Sequence, residues 1–323
     1  MNEKILQILN EHPDRFISGE FISKKLKCSR TAIWKHIQEL RDYGYEFDAA
    51  PRRGYRLKRK PSRLDIPSII NKLQTKFMGR SLHYYDKVDS TQSIAHSLVA
   101  GGAKEGAVVI AEQQTAGRGR MGRNWFSPAG KGVWLSIVLT PQIPLQLSPQ
   151  LTLLVSVALC RTITNLLPVD IGIKWPNDLL IKGKKVSGIL LESSTEDERL
   201  RYVIAGIGIS VNLTREDYPA ELQDIATSLL IESGSEVNRE ELIAAFLQEF
   251  EDLYAIIHQQ GFAPIRLLWE ALSISLHRPI KVHTSRGRVE GIAQSIDDSG
   301  ALIIKLKDGQ EVKIYSGDVE VHR

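Results

Sequence analysis

The sequence is poor in cysteine and has no long unbroken apolar run. Two cysteines, Cys28 and Cys160, stand in 323 residues, far apart and with Cys160 in an apolar helical stretch. That pattern suits reduced thiols in a cytoplasmic protein and gives no disulfide framework. The longest apolar run, Leu151 to Cys160, is shorter than a bilayer crossing requires, so no membrane role is expected. Met1 to Arg15 alternates charged and apolar residues at helical spacing and lacks the basic start and apolar core of a secretory leader. Neither a His/Cys metal cluster nor a Ser-His-Asp or Cys-His set stands out, which speaks against zinc chemistry and against a nucleophilic triad. What is present is the composition of a globular protein, 42% hydrophobic and 25% charged, with chain enough for two or three domains.

The net charge of +4 is unevenly placed. Residues 1–60 hold 14 Lys and Arg against 8 Asp and Glu, a balance of +6 that leaves −2 for the rest. A basic excess confined to the N-terminal fifth suggests a module that faces nucleic acid. Its apolar residues agree. Ile5, Ile8 and Leu9 form one helical stripe, and Ser18 caps a second helix with Ile22 and Leu26 inward. After a tight turn at Lys27-Cys28, Ser29 caps a third helix in which Ile33, Ile37 and Leu40 recur at i, i+4 and i+7. Thr31, Lys35 and Gln38 fall on the other face, so Ser29, Arg30, Thr31, Lys35 and Gln38 are candidates for contacts to bases and phosphates in a major groove. Beyond Gly44 the period becomes two, with a turn at Pro51-Arg52-Arg53-Gly54 between Tyr45 and Phe47 on one side and Tyr55 and Leu57 on the other. This reads as a basic wing carrying Arg52 and Arg53; a small helical domain with a solvated charged hairpin is the alternative.

After a linker at Pro61-Ser62-Arg63, helices and strands alternate in an α+β manner. The sharpest segment is Gly117-Arg118-Gly119-Arg120-Met121-Gly122-Arg123, followed by Asn124-Trp125-Phe126-Ser127-Pro128. Its glycines fit G-x-G-x-x-G, but a dinucleotide site needs a helix next, and a strand-like Val133 to Leu139 follows instead. A phosphate-cradling P-loop fails as well, because Arg123-Asn124 stands where Lys and then Ser or Thr are required. There remains a glycine-permissive loop whose arginines offer fixed donors to phosphate or carboxylate, or, in isolation, to nucleic acid. Apolar strands on both sides argue for a loop anchored in a folded domain.

Three quieter segments accompany it. Asp89-Ser90-Thr91-Gln92 opens a helix and reads as an N-cap. Lys174-Trp175-Pro176-Asn177-Asp178 reads as a packing corner; it precedes a turn at Lys182-Gly183-Lys184 and a strand through Lys185, Gly188 and Glu192. Gly206 to Asn212 reads as a strand whose two glycines allow another backbone or a ligand to come close. From Arg278 onward, five short alternating strands lie in under fifty residues, with turns at Arg286-Gly287, Asp298-Ser299-Gly300 and Asp308-Gly309, which suggests a small SH3-like β-barrel.

Together, in this order and spacing, these segments resemble the biotin protein ligase family, with its GRGRxGRxW loop and its KWPND motif followed by K-x-x-G-I-L. The resemblance extends over nearly the whole chain, because bifunctional members place a winged helix in front and a small barrel behind. It implies an α+β multidomain fold: winged helix-turn-helix at 1–62, a ligase domain with a class II synthetase-like mixed sheet at 63–274, and an SH3-like domain at 275–323. By resemblance, Ser90, Thr91, Gln114, Gly117 and Arg118 match biotin-holding positions, and Arg118 and Arg120 match the loop that orders over ligand and phosphate. Lys185 matches the lysine at the biotin carboxylate and activated phosphate, while Trp125, Asn177 and Gly188 lie in motif positions near the adenylate. Met121 stands where some relatives carry another arginine, and Ser210 where Asn is common.

The implied chemistry uses biotin, ATP and Mg²⁺. It forms biotinyl-5'-AMP, transfers biotin to a lysine of a carboxyl carrier protein, and has the adenylate promote a homodimer that binds operator DNA. The charges suit it, since a carboxylate attacking an α-phosphate brings two anions together and Arg118, Arg120 and Lys185 would neutralise them. Two other classes stay open on the residues: a metabolite-sensing transcription regulator without catalysis, and a lipoate-type acyl ligase.

Overall fold

The structure, a computed structural model, describes residues 1–13, 15–42, 45–50, 53–59, 63–196, 199–285 and 287–321. It divides into two units, Met1–Ser68 and Ile69–Arg323.

In the first unit, α1 (Asn2–Asn10), α2 (Gly19–Leu26) and α3 (Arg30–Asp42) precede a hairpin of β1 (Glu46–Ala50) and β2 (Gly54–Arg59). Ile5, Ile8, Leu9, Ile22, Ile33, Ile37, Leu40 and Phe47 close one core, as their spacing dictates. Ser18 Oγ caps α2 at Phe21 N, 3.1 Å, and Lys27 ends that helix in the left-handed region. Ser29 Oγ then caps α3 at Ala32 N, 3.1 Å. Ile17 and Tyr55 exchange backbone hydrogen bonds at 2.8 and 2.9 Å, which ties the hairpin to the helices. Gly54 is required there: φ is +103°, and a Cβ would run into the Ile17 carbonyl. The expected hairpin is thus present, while Pro51, Arg52 and the linker residues Pro61 and Ser62 lie outside the described residues.

The second unit holds a mixed sheet of seven strands. After α4 (Ile66–Lys72) come β3 (Leu82–Val88), α5 (Thr91–Ala100) and β4 (Val108–Gln114), a parallel pair joined by its crossover helix. Next are β5 (Gly132–Leu139), α6 (Pro149–Leu166), β6 (Ile171–Lys174), β7 (Asp178–Ile181), β8 (Lys184–Glu196) and β9 (Arg199–Ser210). The sheet order is β3-β4-β5-β9-β8-β7-β6, antiparallel from β4 onward. Every residue of β5 is buried, so both faces of the sheet are covered there. Beyond β9 lie α7 (Leu229–Ser233), α8 (Arg239–Gln260) and α9 (Ala263–Leu272). Glu251 of α8 anchors the chain ahead of β3, accepting from the backbone N–H of Lys76, Phe77 and Met78 at 2.6, 2.9 and 2.9 Å.

One expectation needs correction, and one feature stands beside the short apolar run: the segment Leu145–Leu166 is long and apolar enough to cross a membrane by length and composition alone. Two-thirds of its most apolar window is buried, and α6 packs on α8 and α9 as a core helix. The strand expected over Gly206 to Asn212 ends at Ser210, because Asn212 turns away and pairs its amide with the Val237 backbone in both directions, 2.9 Å each.

The chain finishes with β10 (Pro279–Thr284), β11 (Gly287–Ile296), β12 (Leu302–Lys305), β13 (Glu311–Ile314) and β14 (Asp318–Val321). These form one antiparallel sheet in the order β13-β12-β11-β10-β14, with no β13–β14 ladder among the described residues. Each strand falls within a residue or two of the alternating pattern in the sequence.

Candidate active site

The strand register builds the floor of the site. Asp178 of β7 pairs with Gly188 of β8, Gly188 with Gly208 of β9, and Gly208 with Trp134 of β5, so one row across the sheet carries two adjacent glycines. In the next row on β9, Gly206 pairs with Leu190 and Ser136. The missing side chains leave room for others: Trp125 lies over Gly188 and Gly208, and Gln92 lies over Gly206. The close approach that the glycines suggested is therefore made by a loop tryptophan and a helix glutamine. Above this floor opens a cavity of about 480 Å³.

At one end the start of α5 meets β4. Gln114 Oε1 accepts from Thr91 N at 2.9 Å and from Thr91 Oγ1 at 3.1 Å, and Gln114 Nε2 donates to Ser127 Oγ at 2.8 Å. Ser136 Oγ donates to Thr91 Oγ1 at 2.8 Å from the sheet below. Ser90, Thr91 and Gln92 are all buried, and Gln92 Oε1 has no hydrogen-bond partner. This polar end belongs to a cavity whose other wall includes Leu135, Ile189, Leu190 and Ile207.

The arginine loop folds back on itself. Gly119 N donates to Arg123 O at 2.7 Å and Trp125 N to Gly117 O at 2.8 Å, around a short 3-10 turn at Arg120–Gly122. Gly117 is packed too tightly for any Cβ, which would lie 2.9 Å from Ser127 Oγ and 3.0 Å from Gln114 Nε2. Met121 takes φ of 57° and is 76% exposed, so the residue that departs from the arginine pattern stands outside the cavity. Arg120 Nη1 donates to Asn177 Oδ1 at 2.7 Å and to Gly317 O at 3.5 Å, while Asn177 Nδ2 donates to Ile189 O at 3.0 Å. Burial pulls the Arg120 guanidinium below its ordinary pKa, against the opposing carboxylates of Asp318 and Asp178. Arg118 pairs with Glu192 at 3.5 Å and Arg123 pairs with Asp318.

Lys185 is placed by a turn in which Lys182 and Gly183 both have positive φ, 49° and 81°, as a tight hairpin requires. Its Nζ lies 2.7 Å from Asp178 Oδ1 and 5.2 Å from the centre of the Trp125 ring. Lys174 Nζ lies 4.0 Å from the same carboxylate. Trp175 is a packing corner as expected, fully buried with Nε1 donating to Gly300 O at 3.2 Å, and its bond to Pro176 is cis.

The cavity thus gathers Ser90, Thr91, Gln114, Arg118, Arg120, Trp125, Asn177, Lys185 and Gly188, with Gly117 at the loop hinge and Ser210 in the wall. Sequence reasoning gave no role to Gln92, Glu192, Asp178 or Asp318. Asp178 lay within a quoted motif, whereas nothing local to Asp318 marks it. Among the described residues no group of three or more His, Cys, Asp or Glu is placed to hold a metal ion.

The first unit carries the second candidate surface. Ser29, Arg30, Thr31 and Lys35 are exposed on α3 and its cap, and Gln38 is half-buried. Trp34, which sequence reasoning passed over, is 53% exposed on the same helix. Arg53 stacks on the Phe16 ring at 4.5 Å, and Arg56 pairs with Asp48 at 2.5 Å. Arg52 lies outside the described residues.

Comparison with known proteins gives one answer for each part of the chain. Residues 84–210 match the biotin/lipoate A/B protein ligase family, residues 2–56 an HTH domain, and residues 276–321 the biotin protein ligase C terminal domain. The bifunctional ligase/repressor BirA of Bacillus spizizenii is 46% identical over 99% of this chain and 98% of its own length. That of Escherichia coli is 33% identical over 94% of each chain. The biotin protein ligase of Aquifex aeolicus, solved in complex with biotin and ATP, is 28% identical with a TM-score of 0.66, covering 76% of this chain and 99% of that one.

Proposed function

Because the chain belongs to the family of bifunctional biotin ligases and repressors, we propose that it activates biotin with ATP, attaches it to an acceptor lysine and represses transcription through its N-terminal unit. The observation that carries the enzymatic half is the single cavity in which α5, the arginine loop and the Lys174 to Gly188 segment converge.

In the first step the biotin carboxylate oxygen attacks the α-phosphorus of ATP and pyrophosphate leaves, giving biotinyl-5'-AMP. Ser90, Thr91 and Gln114 hold the biotin at the polar end, with Arg118 beside them. Arg120 and Lys185 oppose the charge that builds on the phosphate; Lys185 is held by Asp178 and Trp125, and Arg120 by Asn177. Mg²⁺ would be held largely by phosphate oxygens, with Asp178 the carboxylate at hand, and would supply charge neutralisation. In the second step the neutral amine of the acceptor lysine attacks the carbonyl, AMP leaves, and an amide forms. The loop from Gly117 to Trp125 covers the mixed anhydride and keeps water from it.

We assign residues 1–62 to operator binding through Ser29, Arg30, Thr31, Lys35, Gln38, Arg52 and Arg53, residues 63–274 to catalysis, and residues 275–323 to an SH3-like barrel. The adenylate acts as corepressor by favouring a homodimer whose two winged helices meet a palindromic operator, in the cytoplasm. The test of the enzyme is mass spectrometry of a biotin acceptor domain after incubation with this protein, biotin and Mg-ATP, with lipoate in parallel. Biotin on one lysine is expected; attachment of lipoate alone, or of neither acid, would overturn the reading.

A further inference from the structure

Arg118 is one end of a chain of polar contacts that runs out of the cavity. Its Nη2 donates to Ser93 Oγ at 3.3 Å and its Nη1 lies 3.5 Å from Glu192 Oε1. The other Glu192 oxygen meets His96 Nε2 at 3.0 Å, and His96 Nδ1 meets the Tyr202 hydroxyl at 3.1 Å. The His96 and Tyr202 rings also pack edge to face, 5.7 Å between centres.

Regular structure puts these groups in one place. Ser93 and His96 are three apart on α5 and share a helix face. Glu192 of β8 pairs with Ile204, and Ser194 pairs with Tyr202, so Glu192 and Tyr202 are diagonal neighbours on one face of the sheet. The helix covering that face brings His96 between them. Glu192 and His96 are partly sheltered, with side chains 27% and 35% exposed, and neither touches the cavity.

A free arginine side chain loses rotamer freedom when it is fixed, and loses less if it is already held. Glu192 holds the Arg118 guanidinium from the outer side and leaves its remaining N–H groups for the cavity. We propose that Glu192 is a positioning residue for biotin binding, acting through Arg118 and itself held in place by His96. The proposal rests on the reading of Arg118 as a biotin-holding arginine.

The test is a double-mutant cycle on the full-length protein, measuring adenylation at varied biotin with ATP saturating. Arg118→Ala raises the KM for biotin. Glu192→Gln raises it about two- to fivefold, the loss expected of a partly exposed ion pair, with kcat changed by less than about twofold. Glu192→Asp recovers part of the loss. His96→Ala moves KM in the same direction by a smaller factor, and His96→Gln, whose amide still donates to Glu192, restores it. In the Arg118→Ala background Glu192→Gln adds nothing. Additive losses, or a wild-type KM in Glu192→Gln beside an impaired Arg118→Ala, would overturn the positioning role and leave the biotin role of Arg118 standing. A wild-type KM in Arg118→Ala would overturn that role and the proposal with it. Melting temperatures accompany each variant; where Glu192→Gln fails to fold, Glu192→Asp and the His96 pair decide the matter.

Discussion

Replacing Lys185 with Met removes one positive charge from the cavity while keeping most of the side-chain volume. The ammonium is 2.7 Å from Asp178 and its side chain is 34% exposed, so it is a fixed and partly desolvated charge. Removing one preorganised donor from a developing oxyanion costs about 2.7–4 kcal/mol, or about 10²–10³ in rate. The fold also feels the change. Asp178, 15% exposed, keeps Lys174 at 4.0 Å as its partner, and the weakened pairing costs about 1–3 kcal/mol. At about 2–4 °C of melting temperature per kcal/mol in a unit of this size, the shift stays within about 12 °C and leaves the protein folded at assay temperature. Three measurements separate the effects: ATP–pyrophosphate exchange reads adenylation, transfer from supplied biotinyl-5'-AMP reads the second step, and thermal melting reads the fold. Exchange is expected to fall about 10²–10³-fold while transfer from the supplied adenylate falls by a smaller factor. Exchange within about twofold of wild type would refute the assignment of Lys185 to phosphate charge, whatever the melting curve does.

Two other outcomes follow from contacts already described. Burial alone would raise the Glu251 carboxyl, but backbone N–H groups of Lys76, Met78 and Phe77 outweigh it and hold its pKa below the ordinary value of 4.5. Its contribution to stability is therefore present above that value and lost as pH falls from it toward the depressed folded pKa; Glu251→Gln removes this part of the acid sensitivity and costs about 1–3 kcal/mol at neutral pH, read by denaturant melts across pH. Lys35→Ala on α3 should weaken binding to operator and unrelated duplex alike and lower the slope of log affinity against log salt by about 1, read by fluorescence anisotropy; an unchanged slope places Lys35 away from phosphate.

Much of this was legible because it is local. The stripe Ile33, Ile37 and Leu40 fixes which face of α3 is free, and the run of arginines between apolar strands marks an anchored loop. The two glycines of β9 announced a close approach, but not by what, since Trp125 is far from Gly208 in sequence and reaches it through the strand register. Lys185 reads in isolation as a surface lysine; a left-handed turn and a cross-strand carboxylate make it a site residue. Arg118 was legible as a site residue, but its link to Glu192 and through it to His96 was beyond reach for the same reason, as the three come from a loop, a strand and a helix that only the tertiary fold brings together. The long helix α8 and the shorter α9 carry no motif and were not placed from sequence.

The arginine loop that lines the cavity is held partly by the far end of the chain. Arg123 pairs with Asp318 at the start of β14, and Arg120 donates to the carbonyl of Gly317 just before it. The last strand is thus part of the scaffold of the arginine loop: exchanging the C-terminal module would remove the carboxylate that pairs with Arg123 and leave Arg120 held by Asn177 alone. Positions 120, 123, 317 and 318 form one set of contacts, split across the sequence and joined in space.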